Sequence, residues 1–273
     1  MAYPDDFIPE LWSARVLDTL DENLVFPMLF RNDYQGEVAN VGDTVHIQKF
    51  TDVTANAYSG TVTYATPASS TVTLSINQDV YAAVNVDDLD QVQSNVSLLN
   101  GYADRIAFSL ASQVDTYLAG LYASSSLTAI AWDVGTTDAW TVVTTAMQQL
   151  DEANVPFENR WLVVRPKGYV NLLRNSSFIA SDTEVGAGRV TSGRVGTIAG
   201  FDVFISNNIA NTTGNFYKYI YGHGMGVQHA IQMLQIESVK RDAIFATGIR
   251  GRIAFGAVAA QPTAYGDITA DET

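Results

Sequence analysis

Apolar positions recur at helical spacing along residues 96–123: Tyr102, Ile106, Leu110, Val114, Tyr117 and Leu121 follow one another at steps of four, four, four, three and four. That spacing holds one stripe on one side of a 3.6-residue helix. No proline interrupts the run, Asn95 or Ser97 can cap its start, and Ser124–Ser126 closes it. At about 1.5 Å per residue the predicted helix is roughly 42 Å long, a spine for the rest of the chain. Ala103, Ala107, Ala111 and Ala119 leave room for other backbones to cross closely, and its only charges are Asp104, Arg105 and Asp115.

The pattern changes on either side of this helix. Residues 1–43 begin with a helix opened by Pro9, in which Trp12, Val16, Leu20 and Leu24 stand four apart; Phe26, Met28 and Phe30 then alternate, which predicts an extended apolar arm. Such an arm docks on a neighbour or folds back on its own core, and the pattern allows both. Thr44–Phe50 alternates as a strand after Gly42-Asp43, and Val72, Leu74 and Ile76 share one face of a second strand from Ser70. These two are predicted to pair antiparallel, with the small, polar, Gly/Pro-punctuated residues between them forming a long projecting hairpin that returns through residues 80–86. Asp87, Asp88 and Asp90 read as the first turn of a short helix.

Beyond the spine, Asp138 caps a helix bearing Val142, Val143, Met147 and Leu150. Trp161–Val164 is a continuous apolar run, the signature of a strand covered on both faces, and Pro166 ends it ahead of a short helix over residues 168–174. Residues 180–200, rich in Gly, Ser and Thr, are predicted as a loop before a strand in FDVFISNNIA. Residues 216–265 alternate repeatedly and are expected to form an antiparallel sheet on the spine, leaving residues 266–273 as a polar tail. The fold class is therefore α+β, without internal repeats.

Charge adds an asymmetry. The 273 residues carry a formal net charge of −14. Residues 1–158 hold 21 acids and 4 bases, hence −17, whereas residues 159–273 hold 8 acids and 11 bases, hence +3. No basic residue lies between Lys49 and Arg105, while Arg160, Arg165, Lys167, Arg174, Arg189 and Arg194 follow the midpoint. The halves complement each other within one chain or between copies. The acidic balance argues against wrapping tightly on nucleic acid, which is built on Lys and Arg. There is no cysteine, so stability rests on packing without disulfides or thiolate metal sites. No window of 18 apolar residues and no signal-peptide h-region is present, which disfavours secretion and membrane spanning.

Catalytic patterns are wanting. GAGRVT lacks the third glycine of a dinucleotide fingerprint, and there is no GKS or GKT. His46, His223 and His229 have no metal-ligand spacing, no GxSxG elbow occurs, and Asp87, Asp88 and Asp90 lack the glycine and closing glutamate of a calcium loop. The expectation is a structural protein, not an enzyme, with no cofactor and no metal.

Taken in order, the stretches IPELWSARVLDTLDENLVF, VGDTVHIQKF, DDLDQVQSNVSLLNGYADRIAFSLASQVD, VPFENRWLVVRP, GTIAGFDVFISNNI and AVAAQPTAYG resemble the major capsid proteins of tailed bacteriophages with the Hong Kong 97 fold. The resemblance spans nearly the full length. It implies an N-terminal arm at about residues 1–43, an extended loop at 44–86, a peripheral domain with the spine helix at 87–128 plus 223–265, an axial domain at 129–222, and a tail at 266–273. It implies a virion protein assembled in the bacterial cytoplasm: hexamers and pentamers of this chain closing an icosahedral shell around double-stranded DNA, which it touches non-specifically. A portal protein at one vertex is a further implied partner, and the family leaves room for a decoration protein. The chain starts at the arm, so a separate scaffolding protein is expected. An encapsulin-type compartment of the same fold is the alternative. Some members crosslink through a lysine on the extended loop; no lysine lies between Lys49 and Lys167, so no crosslink is expected. The intersubunit contacts expected are Trp12, Val16, Leu20 and Leu24 on the arm, and Asp52 or Asp79 of one copy against Arg174 or Arg194 of the next.

Overall fold

The computed structural model describes residues 25–34, 42, 44–50, 55–58, 60, 62, 64, 66, 69–87, 98–174, 194–241 and 246–273. Trp12, Val16, Leu20, Leu24 and Asp52 lie outside them, as do the caps Asn95 and Ser97 and the acids Asp88 and Asp90.

The spine is helix α2, Leu98–Ala119, preceded in the chain by α1, Phe26–Leu29, and continued by one 3-10 turn, Gly120–Ser124. Its buried face runs through Ala103, Ile106, Ala107, Leu110, Ala111, Val114 and Leu118. The stripe is thus centred on the alanine column, and Tyr102 at its expected edge is exposed. Small side chains there let α2 lie close against two strands, β3 (Gln78–Asp87) and β11 (Ala246–Ala259). Burying Ile106, Leu110, Val114 and Leu118 contributes about 6–12 kcal/mol before conformational costs.

The expected extended arm at Phe26, Met28 and Phe30 is instead a single helical turn. Four residues apart, Phe26 and Phe30 both point into the core, their rings 5.9 Å apart, while Met28 between them is exposed. Alternation over three residues fits an i, i+4 pair as well as a strand, and Pro27 in the first turn favours the helix.

Strands β1 (Thr44–Phe50) and β2 (Ser69–Ser75) pair antiparallel from Thr44↔Ser75 to Phe50↔Ser69, as expected. The single sheet expected over residues 216–265 is divided between two. β10 (Val227–Lys240), β11 and β3 make a three-stranded antiparallel sheet, so β3 leaves the hairpin to pair with β11. The larger sheet runs β4-β12-β9-β5-β7-β6, with the short β8 (Asn211–Thr213) beside β9. Its strands are β4 (Ile130–Asp133), β5 (Arg160–Val164), β6 (Arg194–Ile198), β7 (Phe201–Ile205), β9 (Phe216–His223) and β12 (Tyr265–Asp271). β5 lies at its centre, every residue buried, as its unbroken apolar run requires.

Two other expectations fail here. Residues 266–273 are no tail: Tyr265–Asp271 is inserted between β4 and β9, and Gly266, Ile268 and Ala270 are buried. Small residues and short polar side chains disguise that strand. Within the predicted loop 180–200, residues 194–198 form β6, turning into β7 at Ala199 and Gly200, whose φ values of 47° and 82° make a tight hairpin.

Helices α3 (Ala139–Glu152) and α4 (Pro166–Arg174) complete the layer around this sheet. Asp138 caps α3 by accepting the Trp140 backbone N–H. Three buried tyrosines tie the layers together, each laid on backbone that has no Cβ. Tyr219 covers Gly168, Tyr221 covers Gly266, and Tyr265 covers Gly222 and Gly226; a Cβ at any of these glycines would lie 2.4–2.7 Å from the ring or its stem. The hydroxyls donate outward to Glu272 Oε1 at 2.7 Å, Gln149 Oε1 at 2.7 Å and the Leu121 carbonyl at 3.1 Å respectively. Burial raises all three phenol pKa values.

Candidate functional site

Three features of the surface and its supports carry functional meaning. The first is a latch between α1 and α2. Asp115 stands in the apolar register of α2 and is 1% exposed. Its Oδ1 accepts the backbone N–H groups of Val25 at 3.2 Å and Phe26 at 3.0 Å, and its Oδ2 accepts from Asn208 Nδ2 at 3.0 Å and Ser206 Oγ at 3.5 Å. One carboxylate therefore joins the end of the arm, the spine and the segment after β7. Burial pushes its pKa up, and the hydrogen bonds from Phe26, Asn208, Val25 and Ser206 oppose that shift. A little further on, the chain passes beside β10: Arg31 N–H donates to the Val227 carbonyl, and the Arg31 carbonyl accepts from His229 N–H at 2.9 Å. The His229 imidazole is buried, which depresses its pKa to about 4.

The second feature is the root of the hairpin. On the three-stranded sheet, Val80, Ala82, Val84, Ile249 and Ile253 face the core that contains α2. The opposite face carries Ala230 and Ala254, on which Ile47, Leu74 and Ile76 of the hairpin base pack as a separate cluster. The hairpin crosses so closely at Gly256 that a Cβ there would sit 2.0 Å from the Ser75 carbonyl oxygen. Gly42, with φ of 93°, donates to the Ile76 carbonyl and closes the base. Beyond this root, Tyr58, Val62 and Tyr64 are 77, 60 and 89% exposed. Among the described residues nothing covers these large apolar groups beyond the clamped root.

The third is a groove of about 450 Å³ on that same face, past the hairpin root. Register places Tyr81 opposite Arg252 and Ala83 opposite Arg250. Arg252 Nε donates to Asp79 Oδ1 at 2.8 Å, and Arg250 Nε to Glu237 Oε2 at 2.9 Å. The Arg252 hydrogen bond holds the Asp79 carboxyl below its usual range. Arg241 completes the rim.

Of the residues expected to pair across copies, Asp79, Arg174 and Arg194 lie on three separate elements of one chain, β3, α4 and β6, and Asp52 lies outside the described residues. Asp79 is engaged by Arg252 of its own chain. Arg174 is exposed at the end of α4, and Arg194 lies in β6, its Cα opposite Phe204. Other members of the expected basic cluster are consumed internally: Arg160 is buried and bonds Asp151, Val155 and Pro156, Arg165 bonds Glu272 at 2.7 Å and lies 3.7 Å over the Tyr217 ring, and Lys167 reaches the Glu272 and Thr273 carbonyls. The sequence reading missed Asp115, Gly256 and the Tyr81 groove. Asp115 had a signal, a carboxylate in phase with an apolar stripe; the other two depend on which strands meet.

Among the described residues no three of His, Asp and Glu group as metal ligands, and no helix is long and apolar enough to cross a membrane.

A family model described as phage capsid protein matches residues 31–272. Among solved structures, that of Mycobacterium phage Che8 is similar with a TM-score of 0.73 and 25% identity, covering 98% of each chain. The mature capsid of bacteriophage PhiM1 gives a TM-score of 0.70 at 12% identity, covering 92% of this chain and 88% of that one. Gordonia phage Cozz gives 0.66 at 12%, covering 91% and 86%. No curated protein matches.

Proposed function

The chain belongs to the phage capsid protein family, and from that premise we propose that it is the major capsid protein of a tailed phage, forming the hexamers and pentamers of an icosahedral shell around double-stranded DNA. The observation that carries this reading is the hairpin: its root is clamped on Ala254 and Gly256, while Tyr58, Val62 and Tyr64 project uncovered. Meeting another copy would take those side chains out of water. In this reading β1–β2 and the residues joining them are the extended loop, α2 with β3, β10 and β11 is the peripheral domain, and the larger sheet with α3 and α4 is the axial domain. The arm's Trp12, Val16, Leu20 and Leu24 bind a neighbour, a separate scaffolding protein guides assembly, and a portal protein occupies one vertex.

Assembly is tested by electron microscopy of purified particles combined with extraction of nuclease-resistant DNA. Closed particles with such DNA are expected; closed particles holding only protein cargo favour an encapsulin-type compartment, and soluble monomer under all conditions overturns the shell. For the arm, Leu20→Asp is expected to block assembly and leave a folded monomer by circular dichroism and sedimentation. Loss of the monomer fold places the arm in its own core.

A further inference from the structure

The groove on the outer face of the β3-β11-β10 sheet has the chemistry of a peptide-binding site. Its floor is Tyr81, 76% exposed, with Ala83 and Gly251; its walls carry Arg241, Arg250 and Arg252. Two of these arginines are already aligned by carboxylates, Glu237 and Asp79. Three arginines stand against the two carboxylates Glu237 and Asp79 among the described residues here, a local excess of one cation in a chain of net charge −14. The aromatic floor suits an apolar stripe, and exposed guanidinium groups suit carboxylates flanking that stripe.

Residues 1–24 have both properties. Their side chains comprise six acids, Asp5, Asp6, Glu10, Asp18, Asp21 and Glu22, against one base, Arg15. The acids flank the apolar series Trp12, Val16, Leu20 and Leu24. We propose that the groove receives residues 1–24 of a second copy of this chain; the assignment rests on the shell reading above and names where the arm binds. Within one copy, Val25 and Phe26, the residues that follow this segment, lie on the other side of the sheet. Asp115 holds the Val25 and Phe26 N–H groups on α2, which covers one face of the sheet, whereas Tyr81 and Arg252 lie on the other face. Phosphate chemistry fits less well, because Arg250 and Arg252 share their forks with carboxylates and the chain as a whole repels polyanions.

The test uses the full chain assembled into particles. With p-benzoyl-phenylalanine in place of Tyr81, illumination is expected to give a band of two chains whose junction, by mass spectrometry, lies in residues 1–24. Arg241→Glu should lower the yield of that band severalfold, and Glu22→Lys in the same chain should recover part of it. The same photoprobe at Ala83 serves if the Tyr81 variant does not assemble. A junction in residues 51–68, a product of monomer mass, a nucleic-acid adduct, or no adduct from assembled particles each overturns the groove assignment and leaves the shell reading standing. If the unsubstituted protein never assembles, the shell reading falls and the groove assignment falls with it.

Discussion

Asp115 Oδ1 accepts the backbone N–H of Phe26 at 3.0 Å across 89 residues of chain, so a buried acid of the spine caps the helical turn that ends the arm. The two phenylalanines of that turn seal the arrangement, Phe30 lying edge-on to Trp161 with ring centroids 5.4 Å apart.

Replacing this acid releases the turn. Asp115→Ala leaves the Val25 and Phe26 N–H groups without a partner, at a cost of about 1–3 kcal/mol. Amide hydrogen exchange at residues 25–30 is expected to accelerate while exchange in β5 is unchanged. Equal acceleration in both places would mean that the carboxylate supports the whole core and is no local latch.

Acid weakens the fold through His229. Its folded pKa of about 4 lies below the ordinary 6.5, so the unfolded chain takes up a proton that the folded chain refuses as pH falls. The stability contributed is present above pH 6.5 and is lost as pH falls toward 4. Over that window it amounts to about 3 kcal/mol at roughly 1.4 kcal/mol per unit. Asp115 acts in the opposite sense, its raised pKa favouring the folded state at low pH. Denaturant titrations from pH 7 to 4.5 are expected to give a shallower pH slope for His229→Leu than for the unsubstituted chain. Identical slopes would refute the assignment.

Glycine substitutions separate close approach from mere turn geometry. Gly256→Ala forces the hairpin root away from β11 and is expected to cost about 1–3 kcal/mol and to impair assembly. Gly101, in α2 with open space around its would-be Cβ, is the control: Gly101→Ala should raise stability by about 0.5–1 kcal/mol. Thermal unfolding of the two variants checks both signs.

Covalent linkage between subunits is not expected. Lys49 pairs with Ser70 at the end of the β1–β2 ladder away from the root, and residues 51–68 beyond it contain no lysine. Boiled, denatured particles should run as one band near 29.6 kDa. A ladder of multiples would contradict this.

The elements legible in the sequence are those whose side chains repeat their environment. The spine, the Asp138 cap, the β1–β2 pair and the buried run Trp161–Val164 each present several equivalent residues in one register. What escaped is set by partners distant in the chain. β12 is buried because β4 and β9 flank it, and its own Gly266, Asp267 and Thr269 give no apolar pattern. Asp267 is tolerated there only because Lys218 Nζ meets it at 2.8 Å. The same holds for the division of residues 216–265 into two sheets: β10 and β11 alternate much as β9 does, and only the choice of β3 as neighbour separates them. In the groove, Tyr81 and Arg252 are 171 positions apart and become neighbours solely through register.

The tyrosines laid over glycine backbone also leave a mark on how this chain can change through descent. Tyr221 and Gly266 occupy one space between them, as do Tyr219 and Gly168 and the Tyr265 ring and Gly226. A side chain gained at position 266 is admissible only in a lineage that has already surrendered the ring at 221. Relatives should therefore vary in matched sets at 168 with 219, 226 with 265 and 266 with 221, an aromatic lost wherever the glycine is replaced, whereas Gly222, which meets the Tyr265 Cβ and backbone, should stay glycine whatever the ring.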